Sequence, residues 1–337
     1  MRAVVTTDLG GPLQPVDLDD PTPGPGEVVV AVEACGICGS DLHLVDALPM
    51  PGHVLGHELA GRVAAVGEGV TGWQADDPVM ALSLATCGTC AACRSGRPRK
   101  CASALMLGVE TPGGYAEYVK APAHDLVPLP GGFDLRHGAL VEPLAVARHA
   151  VGRGTLVAGE TALVIGGGPV GLAVLLWLKA LGAGGVALSD PLTARRANAT
   201  TLGADVVVDP GAGDLATQLG DAGLSAPSLV LECVGLPGLV DQASAVAAVD
   251  GRVVVVGVCM AEDRYFPYGA MAKELDWRFA FYYCRADVDA TISAIQHDRL
   301  DVEPLITAEV GLDEAPAHFE ALKAGSDDTK VLIRPAA

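Results

Sequence analysis

Aromatic residues are scarce, 4% of 337, and so is positive charge, with 22 Lys and Arg against 41 Asp and Glu. The resulting formal net charge of −19 argues against a nucleic-acid partner, because phosphate binding needs clustered Lys and Arg. No acidic block gathers that charge into a tail, so it reads as a solubility device. Long hydrophobic runs are missing as well. The most apolar segment, Val170 to Leu178, is too short to span a bilayer and follows a glycine loop, so a buried helix is expected and a membrane is not. Met1-Arg2-Ala3-Val4-Val5 has no basic segment leading into a long apolar stretch, which excludes a conventional signal peptide. Repeats and low-complexity tracts are also lacking. Together these absences predict an ordinary globular protein of the cytoplasm, and 337 residues fit two domains.

Nine cysteines are present, and in a reducing compartment clustered ones call for a metal before a disulfide. Cys35, Cys233, Cys259 and Cys284 stand alone and read as small buried hydrophobes. Cys87-x-x-Cys90-x-x-Cys93, with Cys101 following, can close a tetrahedral thiolate shell around zinc with no open position, the mark of a structural site.

Short β-branched runs such as Glu27 to Val32 fill the first 125 residues between Gly and Pro turns, predicting an irregular β-barrel-like domain. A helix is expected from Glu142 to Ala150. From Thr161 the rhythm is strand, glycine turn, helix, strand, with strands expected at Ala162–Ile165, Gly185–Ser189, Asp205–Val208, Ser228–Glu232 and Arg252–Gly257. Nearly continuous apolar strands alternating with helices indicate a parallel sheet covered on both faces. A helix Val288–His297 and a final strand Lys330–Ile333 are expected to return to the first domain. The expected division is 1–150, 151–285 and a return segment 286–337.

Strand Leu163-Val164-Ile165 runs into Gly166-Gly167-Gly168-Pro169-Val170-Gly171 and then an apolar helix. This is a dinucleotide fingerprint: Gly166 turns tightly, Gly168 admits the pyrophosphate, and Gly171 allows close helix–strand packing. The helix start offers amide donors and positive dipole to the phosphates. Asp190 ends the next strand, where a carboxylate can accept both ribose hydroxyls of NAD and would repel a 2′-phosphate. Arg195 is expected to pack beside the ribose, and Arg196 to be a solvated helix charge.

A second metal constellation is spread along the chain: Gly36-Ile37-Cys38-Gly39-Ser40-Asp41-Leu42-His43, Gly56-His57-Glu58 and Glu142-Pro143. One thiolate, one imidazole and one or two carboxylates would hold zinc while leaving a position open, as a catalytic zinc requires. His53 is a further candidate, expected to be exposed in its Pro- and Gly-rich loop.

In order and spacing these motifs resemble the medium-chain zinc alcohol dehydrogenases, most closely the branch with sorbitol, threonine and butanediol dehydrogenases, over nearly the whole chain. The resemblance implies an α/β protein made of a GroES-like β-barrel-type catalytic domain, with a structural-zinc lobe at 84–103, and a Rossmann domain with a doubly wound parallel sheet. It implies Cys38 and His57 as zinc ligands, with Glu58 and Glu142 as carboxylates that relatives use either as ligand or as partner of the bound water. Asp41 would orient the histidine ligand, and Ser40 and His43 would relay the proton. Cys233-Val234-Gly235, Gly257-Val258 and Ala280-Phe281-Tyr282 would line the nicotinamide end, and Lys330 would lie near the pyrophosphate. Ser83 stands where relatives often carry an aromatic pocket wall, and the loop Leu44 to Pro51, with Met50, would form another wall. The implied activity is hydride transfer between a secondary alcohol or polyol, or the matching ketone, and NAD(H), with two zinc ions per chain, in a homodimer or homotetramer. An enal, imine or quinone reductase on the same fold is the alternative, with a non-catalytic cofactor-binding protein as a third; relatives of the reductase kind usually lose parts of the zinc and relay set, which this chain keeps.

Overall fold

The computed structural model describes residues 1–47 and 51–335. The chain forms two compact units, one of Met1–Glu142, Cys284–Gln296 and Ile306–Ala337, the other of Pro143–Tyr283 and His297–Leu305. The first break therefore lies at Glu142/Pro143 rather than near 150, inside the helix Leu135–Gly154. A helix that continues across a boundary leaves no turn signal to mark it. The segment His297–Leu305, expected with the return segment, belongs to the second unit.

In the first unit, strand Glu27–Gly36 is the hub of a seven-stranded sheet. It pairs antiparallel with Glu58–Val66, with Tyr118–Pro122 and with Lys330–Ile333. Val28, Val30 and Val32 alternate inward onto a core that includes Leu59, Val79, Tyr115 and Phe319. Register shifts between Val29 and Val30 and between Val32 and Ala34 bend the pairing with Glu58–Val66, as bulges do. At this bend a Cβ on Gly61 would run into the Ala31 carbonyl, so glycine is needed for the approach. The pairings Leu332↔Gly36 and Gly36↔Glu58 bring the last strand, the Cys38 segment and the His57-Glu58 segment together.

The second unit is built on a parallel six-stranded sheet. Along it the strands run Val206–Val208, Gly185–Ser189, Thr161–Ile165, Leu229–Glu232, Arg252–Val255 and Asp276–Phe279. Numbered by position in the chain this is the order 3-2-1-4-5-6 of doubly wound dinucleotide-binding sheets. The sixth strand was not expected from the sequence: Asp276-Trp277-Arg278-Phe279 alternates charge with aromatics, has exposed ends, and shows none of the continuous apolar character of its neighbours. Arg252 and Arg278, on the last two neighbouring strands of the sheet, reach the end of the helix Leu135–Gly154, donating to the carbonyls of Gly154 and Thr155 and of Arg153 respectively. Cations there complement the negative end of the helix dipole.

Candidate active site

In the first unit Cys38, His57 and Glu58 each present a donor atom, all within 4.8 Å of one another. Cys38 follows the hub strand, just before the helix Gly39–Ala47, while Glu58 begins the strand beside it and His57 immediately precedes that strand. The Ser40 hydroxyl donates to Cys38 Sγ at 3.2 Å and lies 3.5 Å from His57 Nε2. His43, one turn further along the helix, is exposed. Asp41 is completely buried; its Oδ2 accepts from Cys38 N–H at 3.1 Å and from the Tyr115 hydroxyl at 2.7 Å, and its Oδ1 faces His57 Nδ1 at 3.4 Å. Burial opposes the charge on Asp41, yet His57, Tyr115 and the Cys38 amide hold its carboxyl below the usual range.

Glu142 lies outside that three-donor group. Burial pushes its carboxyl up to about 7, with Glu58 adding to the rise, while His57, Ser83 and Lys330 pull against it. Ser83 is fully buried and its side chain is bonded to this carboxyl, so its hydroxyl is already engaged. Met50, in the other expected wall, lies outside the described residues.

Lys330 differs most from expectation. Rather than projecting to a pyrophosphate, it is buried in the first unit and donates to both Glu58 oxygens, at 2.9 and 2.7 Å, and to the Ile37 carbonyl. A buried ammonium without a carboxylate partner would be costly, and Glu58 supplies one. The signal missed in the sequence is that Lys330 opens an otherwise apolar strand, Lys330–Ile333, which pairs with the strand leading to Cys38. Tyr115 was also missed; it follows Gly113-Gly114, where the bare Gly113 admits the Leu55–Gly56 backbone and the bare Gly114 admits the side chains of Leu59 and Cys35.

A group of one thiolate, one imidazole and two or three buried carboxylates, with one ammonium nearby, fits a divalent cation. His57 Nδ1 and Asp41 Oδ1 face each other, which turns Nε2, beside the Ser40 hydroxyl, to the Cys38 side as the atom that could bind a metal. His53 is half-buried with its Nε2 unpartnered, and it does not join this group.

The four-cysteine lobe passes a sharper test. Cys90 and Cys93 sulfurs are 3.5 Å apart, Cys101 and Cys87 3.6 Å, and Cys87 and Cys93 3.9 Å, with no disulfide among them. Zn–S bonds of about 2.3 Å give a tetrahedron edge of about 3.8 Å, so the thiols already stand at zinc-binding spacing. The amides of Thr89 and Cys90 lower the Cys87 thiol to about 6. Of the remaining cysteines, Cys259 is exposed, against the expectation of a small buried hydrophobe, and Cys284 donates to Asp287 Oδ2 at 3.0 Å.

In the second unit Gly166 has φ +100°, Gly168 caps the helix Pro169–Ala180 with open space where its Cβ would be, and a Cβ on Gly171 would strike the Gly166 carbonyl. Val170 lies in the first turn of that helix. Asp190 is buried at the strand end, its oxygens accepting from the amides of Gly167 and Leu192 at 2.8 Å each, with Arg195 Nη1 3.6 Å away. Arg196 corrects its expectation as a solvated charge: it donates to the Asp190 and Pro191 carbonyls and pairs with Asp209. Glu232 accepts from the amides of Val234 and Gly235, shaping the loop after Cys233, while Gly257 packs against Gly235 too closely for a side chain. Val234, Val258 and Phe281 are exposed apolar side chains around this loop and beyond, and Tyr282 adopts φ +57°.

Family models agree with this division of labour. The model described as alcohol dehydrogenase GroES-like domain matches residues 24–131, and that described as zinc-binding dehydrogenase matches 169–297. The chain is 34% identical to the 2-dehydro-3-deoxy-L-galactonate 5-dehydrogenase of Pseudoalteromonas atlantica, with 92% of each protein covered. It is 31% identical to the L-threonine 3-dehydrogenase of Pyrococcus horikoshii, covering 99% of this chain and 98% of that one. An alcohol dehydrogenase of Escherichia coli CFT073 crystallised with NADH is 27% identical, with 99% of each chain covered and a TM-score of 0.91.

Proposed function

Because this chain belongs to the zinc-binding alcohol dehydrogenase family, whose members pass a hydride between an alcohol carbon and a nicotinamide, we propose that it acts on a secondary alcohol carrying further polar groups, with NAD, using Cys38, His57 and Glu58 as the catalytic metal donors. The observation that carries this reading is the three-donor group itself, backed by a buried Asp41 aimed at His57. The substrate class is supported by the two relatives above, named for dehydrogenation at position 5 of a sugar acid and at position 3 of threonine, both secondary alcohol carbons with a polar group on a neighbouring carbon.

Bound at these residues, zinc would supply Lewis acidity toward the substrate oxygen, and NAD would take up the hydride. The rest falls to the protein. Asp41 holds His57 through Nδ1 and so turns Nε2 toward Cys38. Ser40, in contact with Cys38 Sγ and His57 Nε2, is placed to accept the proton leaving the substrate hydroxyl. His43, on the same helix and exposed, takes it on toward solvent. Lys330 compensates the negative charge of Glu58, and Glu142 sits beside this group as a second carboxylate, able to hold the proton or a water.

Asp190 sets the cofactor. Its carboxylate oxygens, oriented by two amide donors, would accept ribose hydroxyls and repel a 2′-phosphate. A panel of secondary alcohols, diols, polyols and hydroxy acids, run with NAD and with NADP, tests both parts. NAD is expected to be favoured at least about tenfold in kcat/KM, or roughly 1.4 kcal/mol, and Asp190→Ala to narrow the gap. A preference for NADP would show that Arg195 outweighs Asp190. Ethanol as the best substrate, or turnover of enals and imines alone, would overturn the substrate class.

The chain is also proposed to work as a homo-oligomer in the cytoplasm. Strand Asp276–Phe279 ends the six-stranded sheet, with no pairing on its outer side among the described residues. In this aromatic-poor chain, Tyr265, Phe266, Tyr268, Phe279 and Phe281 are all exposed close by in sequence. An apolar edge of this kind invites pairing with the same edge of a second copy, a self-complementary contact. Light scattering should give a multiple of the single-chain mass, falling with Phe279→Asp; a wild-type monomer at micromolar concentration would refute it. Nine unpaired cysteines suit a reducing compartment.

A further inference from the structure

Tyr115 ties the segment that carries Cys38 and Asp41 to the segment that leads into His57. Its amide donates to the Leu55 carbonyl at 2.9 Å and its carbonyl accepts from Val4 N–H at 2.8 Å, so its backbone is pinned on both sides. Its ring is completely buried and lies where a Cβ on Gly56 would be, and Gly56, at φ +98°, turns the chain into His57. At the far end of the ring the hydroxyl donates to Asp41 Oδ2 at 2.7 Å. That oxygen also accepts from Cys38 N–H at 3.1 Å. The opposite oxygen, Oδ1, has no hydrogen-bond partner and faces His57 Nδ1, itself unpartnered, at 3.4 Å.

The orientation of His57 thus depends on a carboxylate that is free to rotate unless something fixes it. Two donors on Oδ2 fix it: one from the segment that carries Cys38, the other from Tyr115. A buried carboxylate that loses one of its two donors must either turn toward another partner or carry the desolvation penalty. Removing the phenol oxygen alone leaves the ring packing and the backbone bonds in place.

We propose that Tyr115 is a positioning residue for the catalytic metal site: its hydroxyl holds Asp41 in the rotation that aims His57 Nε2 at the metal donor group. This rests on the reading of Cys38 and His57 as metal donors. Residues acting through a ligating histidine in this way contribute about 10- to 100-fold in metal affinity or activity when removed.

The test is Tyr115→Phe in the zinc-loaded full-length protein, with zinc release to a chromophoric chelator followed in time. Two phases are expected in the wild type, a fast one from the Cys38 site and a slow one from the four-cysteine lobe. In Tyr115→Phe the fast phase should accelerate at least about tenfold, the slow phase and the melting temperature of the zinc-saturated protein should stay as they were, and kcat/KM should fall by about the same factor as the gain in release rate. Tyr115→Leu, which also removes the ring, is expected to lower the melting temperature in addition. Unchanged fast release in Tyr115→Phe overturns the proposal, as does equal acceleration of both phases, which would mark a general packing role. Failure of the underlying reading looks different: a wild type whose only zinc is the slowly released one, or a Cys38→Ala variant that keeps the fast phase, removes the site on which Tyr115 is said to act.

Discussion

Cys38→Ala is expected to lower kcat/KM by at least about a thousandfold, some 4 kcal/mol of transition-state stabilisation, while leaving the melting temperature within a few degrees of the wild type. The separation follows from where Cys38 sits. It is only half-buried, so losing its sulfur opens no core cavity, and its amide remains to donate to Asp41. What is lost is a thiolate donor and the acceptor of the Ser40 hydroxyl. His57→Ala should abolish turnover as well, but less cleanly, because it leaves Asp41 buried with one partner fewer. Steady-state kinetics together with calorimetry check both. Activity of Cys38→Ala within tenfold of the wild type would mean that the thiolate has no part in the reaction.

Cys90→Ser should have the opposite profile, a large loss of local order. Between Cys87 and Ala104 Cys101 alone is fully buried, so no apolar core holds the lobe. Its order must come from the four thiols, which stand at tetrahedral spacing, and structural zinc contributes folding energy outright. The lobe also carries Arg94, Arg99 and Lys100 as trypsin sites, Arg97 being shielded by the proline that follows it. Limited trypsin digestion of Cys90→Ser is expected to cut within 94–100 at least about ten times faster than in the wild type, and chelator-treated wild type should do the same. Equal cleavage of variant and wild type would show that the lobe stands without metal.

These two sites differed in how far the sequence disclosed them. The four cysteines lie within fifteen residues, so spacing alone described the lobe, and the glycine run 166–171 was equally local. The Cys38 group is assembled from the ends of neighbouring strands, and its motifs marked Cys38, His57, Glu58 and Glu142 only because each carries its own short signature. Tyr115 and Lys330 carry none. Their roles arise from sheet register: Leu332 opposite Gly36 places Lys330 behind Glu58, and the Tyr115–Leu55 backbone bond places a phenol against Asp41. Long-range pairing of this kind has no period to read in one sequence. The Ser83 contact was hidden for a related reason, since its partner, Glu142, lies on a helix far along the chain. Arg196 read as an exposed charge because helix position alone does not reveal that its guanidinium closes back on the Asp190 carbonyl.

The most direct test of the central claim is the rate of hydride transfer as a function of zinc bound per chain. Protein stripped of its loosely held metal should be inactive with NAD and the best alcohol of the panel, and activity should rise in proportion to zinc added, reaching its plateau at about two zinc ions per chain. Full turnover in protein containing no zinc, or a plateau reached with the four-cysteine site alone occupied, would contradict it.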